Sequence, residues 1–372
     1  MEKKHNIDND KRIVLPFAKY EVSYNPSDAL TLSILKGNKN KFEIFNCCWE
    51  VFAFQFCQNG YQYFDAHLWH NTQSIKREFV KRVLLEEDIS LNFENALKEG
   101  KYIFVVLDRT KIHGFNDKKF FPHLVSIYGV DLSKKVFMVA DFGENVGYQL
   151  YTISYGELES ANKSINEHIK YLDKKEKAFS WITNIEFVTY KKNIDNKMAW
   201  ERQMNEIDAV LGGIQFDPID NIENQNIARF QEDGFLLVPI SNVTLGIKVF
   251  DEMVAHLKKA LQDKKYIVEI KHFYLMYEYA FLLKQRLNLI NQSGIRESQY
   301  DAINVEKIVS KYKICISLGI KYKLTNNNII LERAISELEI NNALLIQEIK
   351  KYQTLIKKIW NKRRDITNRS LV

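Results

Sequence analysis

Two side chains that could carry acid–base chemistry lie on neighbouring strand-like segments of this chain. His123 is in the apolar stretch 118–131, and Asp141 lies near the end of the stretch 134–143. Alternating apolar residues around a tight turn predict a β-hairpin. Adjacent antiparallel strands can set an imidazole against a carboxylate, which orients the ring and stabilises the imidazolium. The pattern predicts a His–Asp pair, although a hydrogen-bonded core histidine would have the same sequence.

A catalytic histidine of this kind needs a nucleophile, and the start of a helix favours one. Backbone N–H groups there can hold an oxyanion, and the helix dipole lowers the pKa of a thiol. Helix-start residues precede the apolar run LTLSIL and Gly37 follows it, so we predict a short buried helix over 28–36. The start residues are Pro26, Ser27 and Asp28. The first-turn residue is Ala29, which has no reactive group.

The four cysteines are too few and too irregular for a disulfide framework, and they include no Cys-x-x-Cys pair for structural zinc. Cys47 and Cys48 lie in an aromatic run typical of buried apolar thiols. Together with Cys57 they remain alternative nucleophiles, whereas Cys315 is interpreted as structural. We expect no metal site, and a reducing, cytoplasmic location.

These segments together resemble the papain-type cysteine enzymes of the bacteriocin-processing peptidase branch. Within that branch the chain is most similar to the N-terminal domain of the butirosin biosynthesis protein H family, acyltransferases of antibiotic pathways. The likeness rests on SDALTLSIL for the nucleophile helix and PHLVSIYGVDLSKKVFMVADF for the His and Asp strands. EGKYIFVVLDR resembles the preceding strand and ISYGELESA the following helix. The segment from LGIKVFDEMVAHL to EIKHFYLMYEYAFLLKQRL resembles the helical half of relatives in nonribosomal peptide clusters, so the likeness covers about 20–290.

The resemblance implies a triad of cysteine at position 29, His123 as base and Asp141 as its orienting partner. This chain has Ala29 there. We hypothesise that the natural residue is cysteine and that the present chain is inactivated; the alternative is that Ala29 is natural core filler. The family often carries a glutamine before the nucleophile, which EVSYNPS lacks. Oxyanion binding would then depend on helix N–H groups. The candidate oxyanion or substrate contacts are Ser23, Asn25, Asp28 and Arg109.

The activity implied by the resemblance is amide-forming acyl transfer. The donor would be a thioester on the phosphopantetheine arm of an acyl or peptidyl carrier protein, and the acceptor a small amine, with no bound cofactor. The chain looks like the amide-forming enzymes of polythioamide pathways of the closthioamide type, for which the acceptor would be a diamine. Two other classes stay open. A cysteine peptidase or amidase would release acid to water, and a non-catalytic binding protein would have lost its nucleophile.

The hydrophobic periodicity predicts an α+β protein. We expect a papain-like catalytic domain over 1–165, a mixed connector over 166–205 and a helical domain over 206–372. Extended or strand segments are predicted at 14–24, 42–56, 101–109, 118–131, 134–143 and 185–192, with a strand running into a helix over 148–161. Helices are predicted at 72–98, 246–261, 268–290, 305–322 and 326–360.

The charge of the chain is uneven. The net charge is +6, but residues 301–372 hold 14 basic against 7 acidic residues, so the other 300 sum to −1. Residues 350–372 alone carry eight basic residues and one acidic residue. We predict a basic C-terminal helix that docks an acidic carrier protein, although a solvated helix face has the same pattern. The docking candidates are Lys357, Lys358, Arg363 and Arg364. The chain shows no nucleic-acid recognition motif and no apolar run long enough for a membrane span, so neither partner is expected.

Overall fold

The computed structural model describes residues 11–21, 26–40, 49–56, 62–68, 74–85, 88–114, 119–143, 147–171, 181–192, 211, 226–231, 234–292 and 303–369. Over these residues it combines helices with antiparallel sheet, which confirms the predicted α+β class. None of the described helices is long and apolar enough to cross a membrane.

The elements are numbered in chain order. The strands are β1 (Arg12–Val14), β2 (Trp49–Phe56), β3 (Gln62–Leu68), β4 (Ile75–Lys81), β5 (Lys101–Asp108), β6 (Pro122–Asp131), β7 (Val136–Gly143), β8 (Gly147–Ser154), β9 (Asn184–Tyr190), β10 (Asn226–Gln231) and β11 (Gly234–Leu245). The α-helices are α1 (Pro26–Gly37), α2 (Ile89–Lys98), α3 (Tyr155–Tyr171), α4 (Lys248–Gln262), α5 (Ile270–Gln292), α6 (Ile303–Thr325) and α7 (Asn328–Arg369). Short 3-10 turns occupy Arg82–Leu85, Arg109–Lys111 and Trp181–Thr183.

The chain divides into two compact units, each built from several segments. The first comprises residues 1–40, 73–194 and 228–237, and the second comprises 41–72, 195–227 and 238–372. This division differs from the continuous domains expected from the sequence. Strand β9 joins the sheet of the first unit, beyond the expected boundary at 165, and β2 and β3 belong to the second unit. Strand pairing, which is not local in sequence, sets these boundaries.

The first unit is built on a seven-stranded sheet. Its main path runs β4, β9, β5, β6, β7, β8, and β1 pairs with the end of β6 that β5 leaves free. Among the described residues the strand pairings of this sheet are antiparallel, and β6, β7 and β8 form consecutive hairpins. The predicted hairpin between 118–131 and 134–143 is therefore present.

One face of this sheet carries the main core of the unit. Residues of β5, β6 and β7 that alternate toward this face pack with Phe93 and Leu97 of α2 and with Leu158 and Ala161 of α3. The sheet residues are Ile103, Val105, Leu107, Val125, Ile127, Phe137 and Val139. Helix α1 packs on β6 and β7, and its hydrogen bonds reach Tyr102 and Tyr148, which alternate to the opposite face. The sheet is thus covered on both sides.

The region 72–98 departs from its predicted helix. Residues 75–81 form strand β4, and only 89–98 form a helix, α2. The charged residues of β4 suggested a solvated helix, but Arg77 is mostly buried, with Glu186 accepting from its Nη1 and Thr31 from its Nη2 at 2.6 Å. Pairing with β9 satisfies the backbone hydrogen-bonding groups on one side of β4. This tertiary pairing overrides the local helical spacing.

The second unit contains a sheet and the long helices. Strand β11 pairs antiparallel with β2, and β2 with β3; the full order is β10, β11, β2, β3, and the division between the units falls within β10 and β11. Helix α6 packs against α5 and α7, and α7 also packs on α4. At Gly319 of α6 an added Cβ would lie 2.5 Å from the Phe273 ring, so this close approach requires glycine. The four predicted C-terminal helices are all present; their ends lie within three residues of the prediction, except that α7 continues to Arg369, nine residues beyond the predicted end.

Candidate functional site

The structure brings His123 and Asp141 together on adjacent strands. Nδ1 of His123 lies 2.5 Å from Oδ1 of Asp141, and the Asp141 side chain is fully buried, whereas the His123 side chain is 19% exposed. An ionised carboxylate only accepts hydrogen bonds, so Nδ1 carries the proton and donates it. Nε2 of a neutral His123 then keeps its lone pair, as a general base requires.

The strand register explains why these two side chains meet. His123 alternates with Val125 and Ile127 on β6, and Ile127 pairs with Val139, which alternates with Asp141 on β7. Both side chains therefore point to the same face of the sheet, the face that carries the main core. This alternation places a polar pair at the edge of an apolar layer, where a hydrogen bond between the two groups is strong.

The second oxygen of Asp141 is held from two other elements. The hydroxyl of Tyr151, on β8, donates to Oδ2 of Asp141 at 3.0 Å. Burial and the Asp141 carboxylate raise the pKa of Tyr151 far above its ordinary value, so the hydroxyl stays protonated and keeps donating. Nε of Arg109, in the turn after β5, lies 3.9 Å from the same oxygen. The Asp141 carboxylate therefore has hydrogen-bonding partners on both oxygens and a cation nearby.

Helix α1 is anchored one turn after Ala29. Ser33 Oγ donates to the Ala29 carbonyl oxygen at 2.7 Å and accepts from the Tyr148 hydroxyl at 2.9 Å and from the Tyr20 N–H at 3.2 Å. At the other end of the helix, an added Cβ on Gly37 would lie 2.5 Å from the backbone N of Phe17. The segment before the helix therefore crosses closely over its C-terminus and fixes its position on the sheet.

The direction of α1 follows from its two sheet contacts. Asn38 donates to the hydroxyl of Tyr102, at the start of β5, at 3.1 Å, whereas Ser33 binds Tyr148, at the start of β8. Because β5 and β8 run in opposite directions, these starts lie at opposite ends of the sheet. The half of α1 that holds Ala29 and Ser33 therefore lies toward the end of the sheet where β8 begins.

His123 and Asp141 lie at that same end of the sheet. His123 is level with Leu107 near the end of β5, and Asp141 pairs with Gln149 near the start of β8. The side chains of the pair point to the core face, whereas α1 packs on the opposite face. The start of α1 and the His–Asp pair therefore lie toward the same end of the sheet, on opposite faces of it.

Ala29 itself is buried, with a relative exposure of 1%. It is the fourth residue of α1, and the first four N–H groups of an α-helix have no acceptor inside the helix. A thiol at this position would lie in the field of the helix N-terminus, which lowers the pKa of a thiol.

The remaining candidate residues have different surroundings. Asp28 is buried in the first turn of α1, where a carboxylate favours the helix dipole. Arg109 is also buried and turns toward Asp141. Lys357 and Lys358 lie on α7, with Lys358 exposed and Lys357 partly so. Ser23, Asn25, Cys47, Cys48 and Cys57 and the side chains of Arg363 and Arg364 lie outside the described residues. Cys315 is buried in α6, and burial raises its pKa to about 11, so it is not a reactive thiol.

Three supporting residues were not found by sequence reasoning: Tyr151 and Phe121 beside the pair, and Ser33 in α1. All three are ordinary members of apolar segments, and only the register brings Tyr151 to Asp141. One signal was available, because Phe121 and His123 alternate within the stretch 118–131 that the sequence predicts as a strand. Their rings stack at 5.8 Å between centroids.

Comparison with known proteins returns no family for this chain. No family model matches it, and no curated protein matches it. Within the described ranges, no group of three or more His, Cys, Asp or Glu side chains is arranged to hold a metal ion. The geometry of the His123–Asp141 pair and the position of α1 are therefore the features that bear on function.

Proposed function

We propose that the natural form of this protein, with cysteine at position 29, is an amide-forming acyltransferase. The donor is an acyl thioester on the phosphopantetheine arm of a carrier protein, and the acceptor is a small amine or diamine. The first unit would then be a papain-like catalytic domain. In support, a helix precedes an antiparallel sheet, and histidine and aspartate lie on consecutive strands of it.

The observation that carries the proposal is the 2.5 Å contact between His123 and Asp141. It leaves Nε2 as the basic nitrogen of a partly exposed ring, at the end of the sheet toward which the half of α1 that holds Ala29 lies. An imidazole oriented by a buried carboxylate activates thiols in acyl transfer.

The first half of the reaction forms an acyl-enzyme. His123 accepts the thiol proton, and the thiolate at position 29 attacks the thioester carbonyl. Backbone N–H groups at the start of α1 stabilise the oxyanion. When the tetrahedral intermediate collapses, its carbon–sulfur bond to the phosphopantetheine arm breaks. That arm leaves as a thiol with the proton from His123.

The second half transfers the acyl group. The amine attacks the acyl-enzyme carbonyl while Nε2 of His123 takes a proton from the amine nitrogen. The bond to the position-29 sulfur then breaks, the sulfur leaves as the thiol with that proton, and the amide is released. A thioester donor makes amide formation downhill, so the reaction requires no nucleotide. Aminolysis must outrun hydrolysis, which a site with little water favours.

The test uses the Ala29→Cys protein and an acyl-pantetheine thioester, with and without an amine. Intact-mass measurement should show an adduct of one acyl group, and addition of amine should discharge it as amide. The parent chain with Ala29 controls for acylation of the other four cysteines, and Ala29→Cys with His123→Asn controls for the base. If the Ala29→Cys protein neither gains the acyl mass nor consumes the thioester, acyl transfer is excluded.

A hydrolase would give a different outcome in the same experiment. An adduct that decays to free acid at the same rate with and without amine would assign a peptidase or amidase. A binding protein is the second candidate, and the buried Ala29 favours it, because the chain carries no nucleophile at that position. Tight binding of the thioester by both the parent chain and the Ala29→Cys variant, without turnover, would support it.

A further inference from the structure

Arg109 lies behind the His–Asp pair, and no role in proton transfer to substrate suits it. Its side chain is 6% exposed, so its guanidinium faces protein, not a substrate channel. Nε of Arg109 is 3.9 Å from Oδ2 of Asp141, the oxygen that His123 does not contact. The guanidinium carbon also lies 5.2 Å from the centre of the Phe121 ring.

The Phe121 ring connects this cation to the imidazole. It stacks on His123 with 12° between the ring planes and a centroid separation of 5.8 Å. Arg109 therefore lies near Asp141 directly, and it is linked to His123 only through the Phe121 ring, which lies between them. Cation–π contacts of this kind are worth about 0.5–2 kcal/mol, depending on their desolvation.

The backbone around Arg109 is fixed by the buried Asp108. The Asp108 carboxylate accepts from the Thr110 N–H and hydroxyl, from the Phe121 N–H at 3.2 Å and from the Ser164 hydroxyl at 2.6 Å. In addition, the Arg109 N–H donates to the Phe121 carbonyl oxygen at 3.0 Å. The turn that carries Arg109 and the strand entry that carries Phe121 thus form one rigid support for the pair.

We propose that Arg109 is a positioning residue that acts on His123 through Asp141: together with Tyr151 it offsets the negative charge on the outer oxygen of Asp141, and so limits how strongly the inner oxygen stabilises the imidazolium of His123. The hydroxyl of Tyr151 supplies a hydrogen bond and Arg109 supplies charge. The kinetic part of this inference rests on the proposed function, whereas the electrostatic part does not.

The charged and titratable groups around the pair come from several elements. They include the charged Arg109 after β5 and Glu157 on α3, and the neutral, titratable Tyr151 on β8, which Glu157 influences. Glu157 accepts hydrogen bonds from the Ser154 N–H and hydroxyl and from the backbone N–H of His113. Of these groups, Arg109 is the cation closest to Asp141.

The experiment is an NMR titration of the His123 ring in the chain as it stands, with Ala29 and ¹³C-labelled histidine. His123→Asn assigns the signal among the eight histidines. Removing a nearby positive charge stabilises the imidazolium, so Arg109→Gln should raise the titration midpoint of His123 by roughly half to one pH unit. Arg109→Lys should bring the midpoint back toward the parent value, because the charge returns.

Arg77→Gln is the matched control. Arg77 is a mostly buried arginine of the same unit, with its own partner in Glu186, and it does not contact the pair. It should leave the midpoint of His123 unchanged. A midpoint in Arg109→Gln that stays within about 0.2 pH unit of the parent overturns the proposal.

Tyr151→Phe carries the test if Arg109→Gln does not fold. This variant keeps the ring and removes only the hydroxyl that donates to Asp141, and it should raise the His123 midpoint by a smaller amount. An unchanged midpoint there overturns the proposal as well. The titration needs no turnover, so failure of the acyl-transfer test leaves this result standing. If acyl transfer is observed, Arg109→Gln in the Ala29→Cys protein should shift its pH profile in the same direction.

Discussion

Histidines in the two units of this protein have opposite environments. In the first unit, His123 is partly exposed and contacts a buried carboxylate. In the second unit, His256 on α4 and His272 on α5 are fully buried, and their rings meet edge to face at 5.4 Å between centroids. Burial lowers the pKa of His272 to about 3 and also lowers that of His256.

The contrast separates a partly exposed histidine with a carboxylate partner from two fully buried histidines. His272 stays neutral because protonation would place a charge in the buried interior of the helical layer. Burial alone therefore does not mark a histidine suited to the proposed acid–base role, whereas contact with a buried carboxylate and partial exposure of the ring do.

Replacing the carboxylate should have the largest effect. In the Ala29→Cys protein, Asp141→Asn should slow acyl transfer by roughly 10³–10⁴-fold, because the amide no longer stabilises the imidazolium or fixes its tautomer. Single-turnover kinetics with an acyl-pantetheine measure the loss. Asp251→Asn, on the exposed face of α4, is the matched control and should keep full activity. If Asp141→Asn slows acyl transfer by less than tenfold, its carboxylate partner does not distinguish His123 in function from the buried His256 and His272.

The two buried histidines of the second unit, His256 and His272, predict a loss of stability in acid. His272 has a folded-state pKa of about 3, below its ordinary value of 6.5, so the unfolded chain binds the proton first as the pH falls. The stability contribution is complete above pH 6.5 and is lost progressively between 6.5 and 3. Lowering the pH from 7 to 5 should reduce the free energy of unfolding by about 2 kcal/mol through this residue.

Urea unfolding followed by far-UV circular dichroism measures this loss. His272→Phe keeps an aromatic ring and removes the titrating group, so its stability should depend less steeply on pH over the same range. The range from 7 to 5 avoids most carboxylate titration. Equal slopes for the parent and His272→Phe would show that the buried histidine is not the acid-sensitive group.

Charge reversal on α7 should have the smallest effect. If an acidic carrier protein docks on the basic helix, Lys357→Glu with Lys358→Glu should weaken its binding by roughly tenfold at low salt and less at high salt. The matched control is Lys321→Glu with Lys323→Glu, which reverses two exposed lysines of α6. Binding that responds equally to both double variants, or to neither, would place the carrier on another surface.

Local pattern predicted much of the fold. The helices of the second unit have long stretches of apolar residues at helical spacing, and the β6–β7 hairpin has alternating residues around a turn. Such signals are local, so they survive in the folded protein. Strand β4 was missed because its identity depends on pairing with β9, which lies more than 100 residues away. The discontinuous units were missed for the same reason.

In the candidate site, too, local features were predicted from the sequence and long-range contacts were not. The residue types and the hairpin were enough to predict the His123–Asp141 pair, because strands joined by a short turn must be neighbours. Tyr151 and Arg109 could not be assigned to Asp141 from sequence, since the register of β8 and the path of the turn after β5 decide which side chains share a face. The packing of α1 on the face of the sheet opposite the pair is likewise a tertiary result. Sequence determines which groups can react, whereas packing determines which groups support them, because alternation is local and the contacts across the sheet are not.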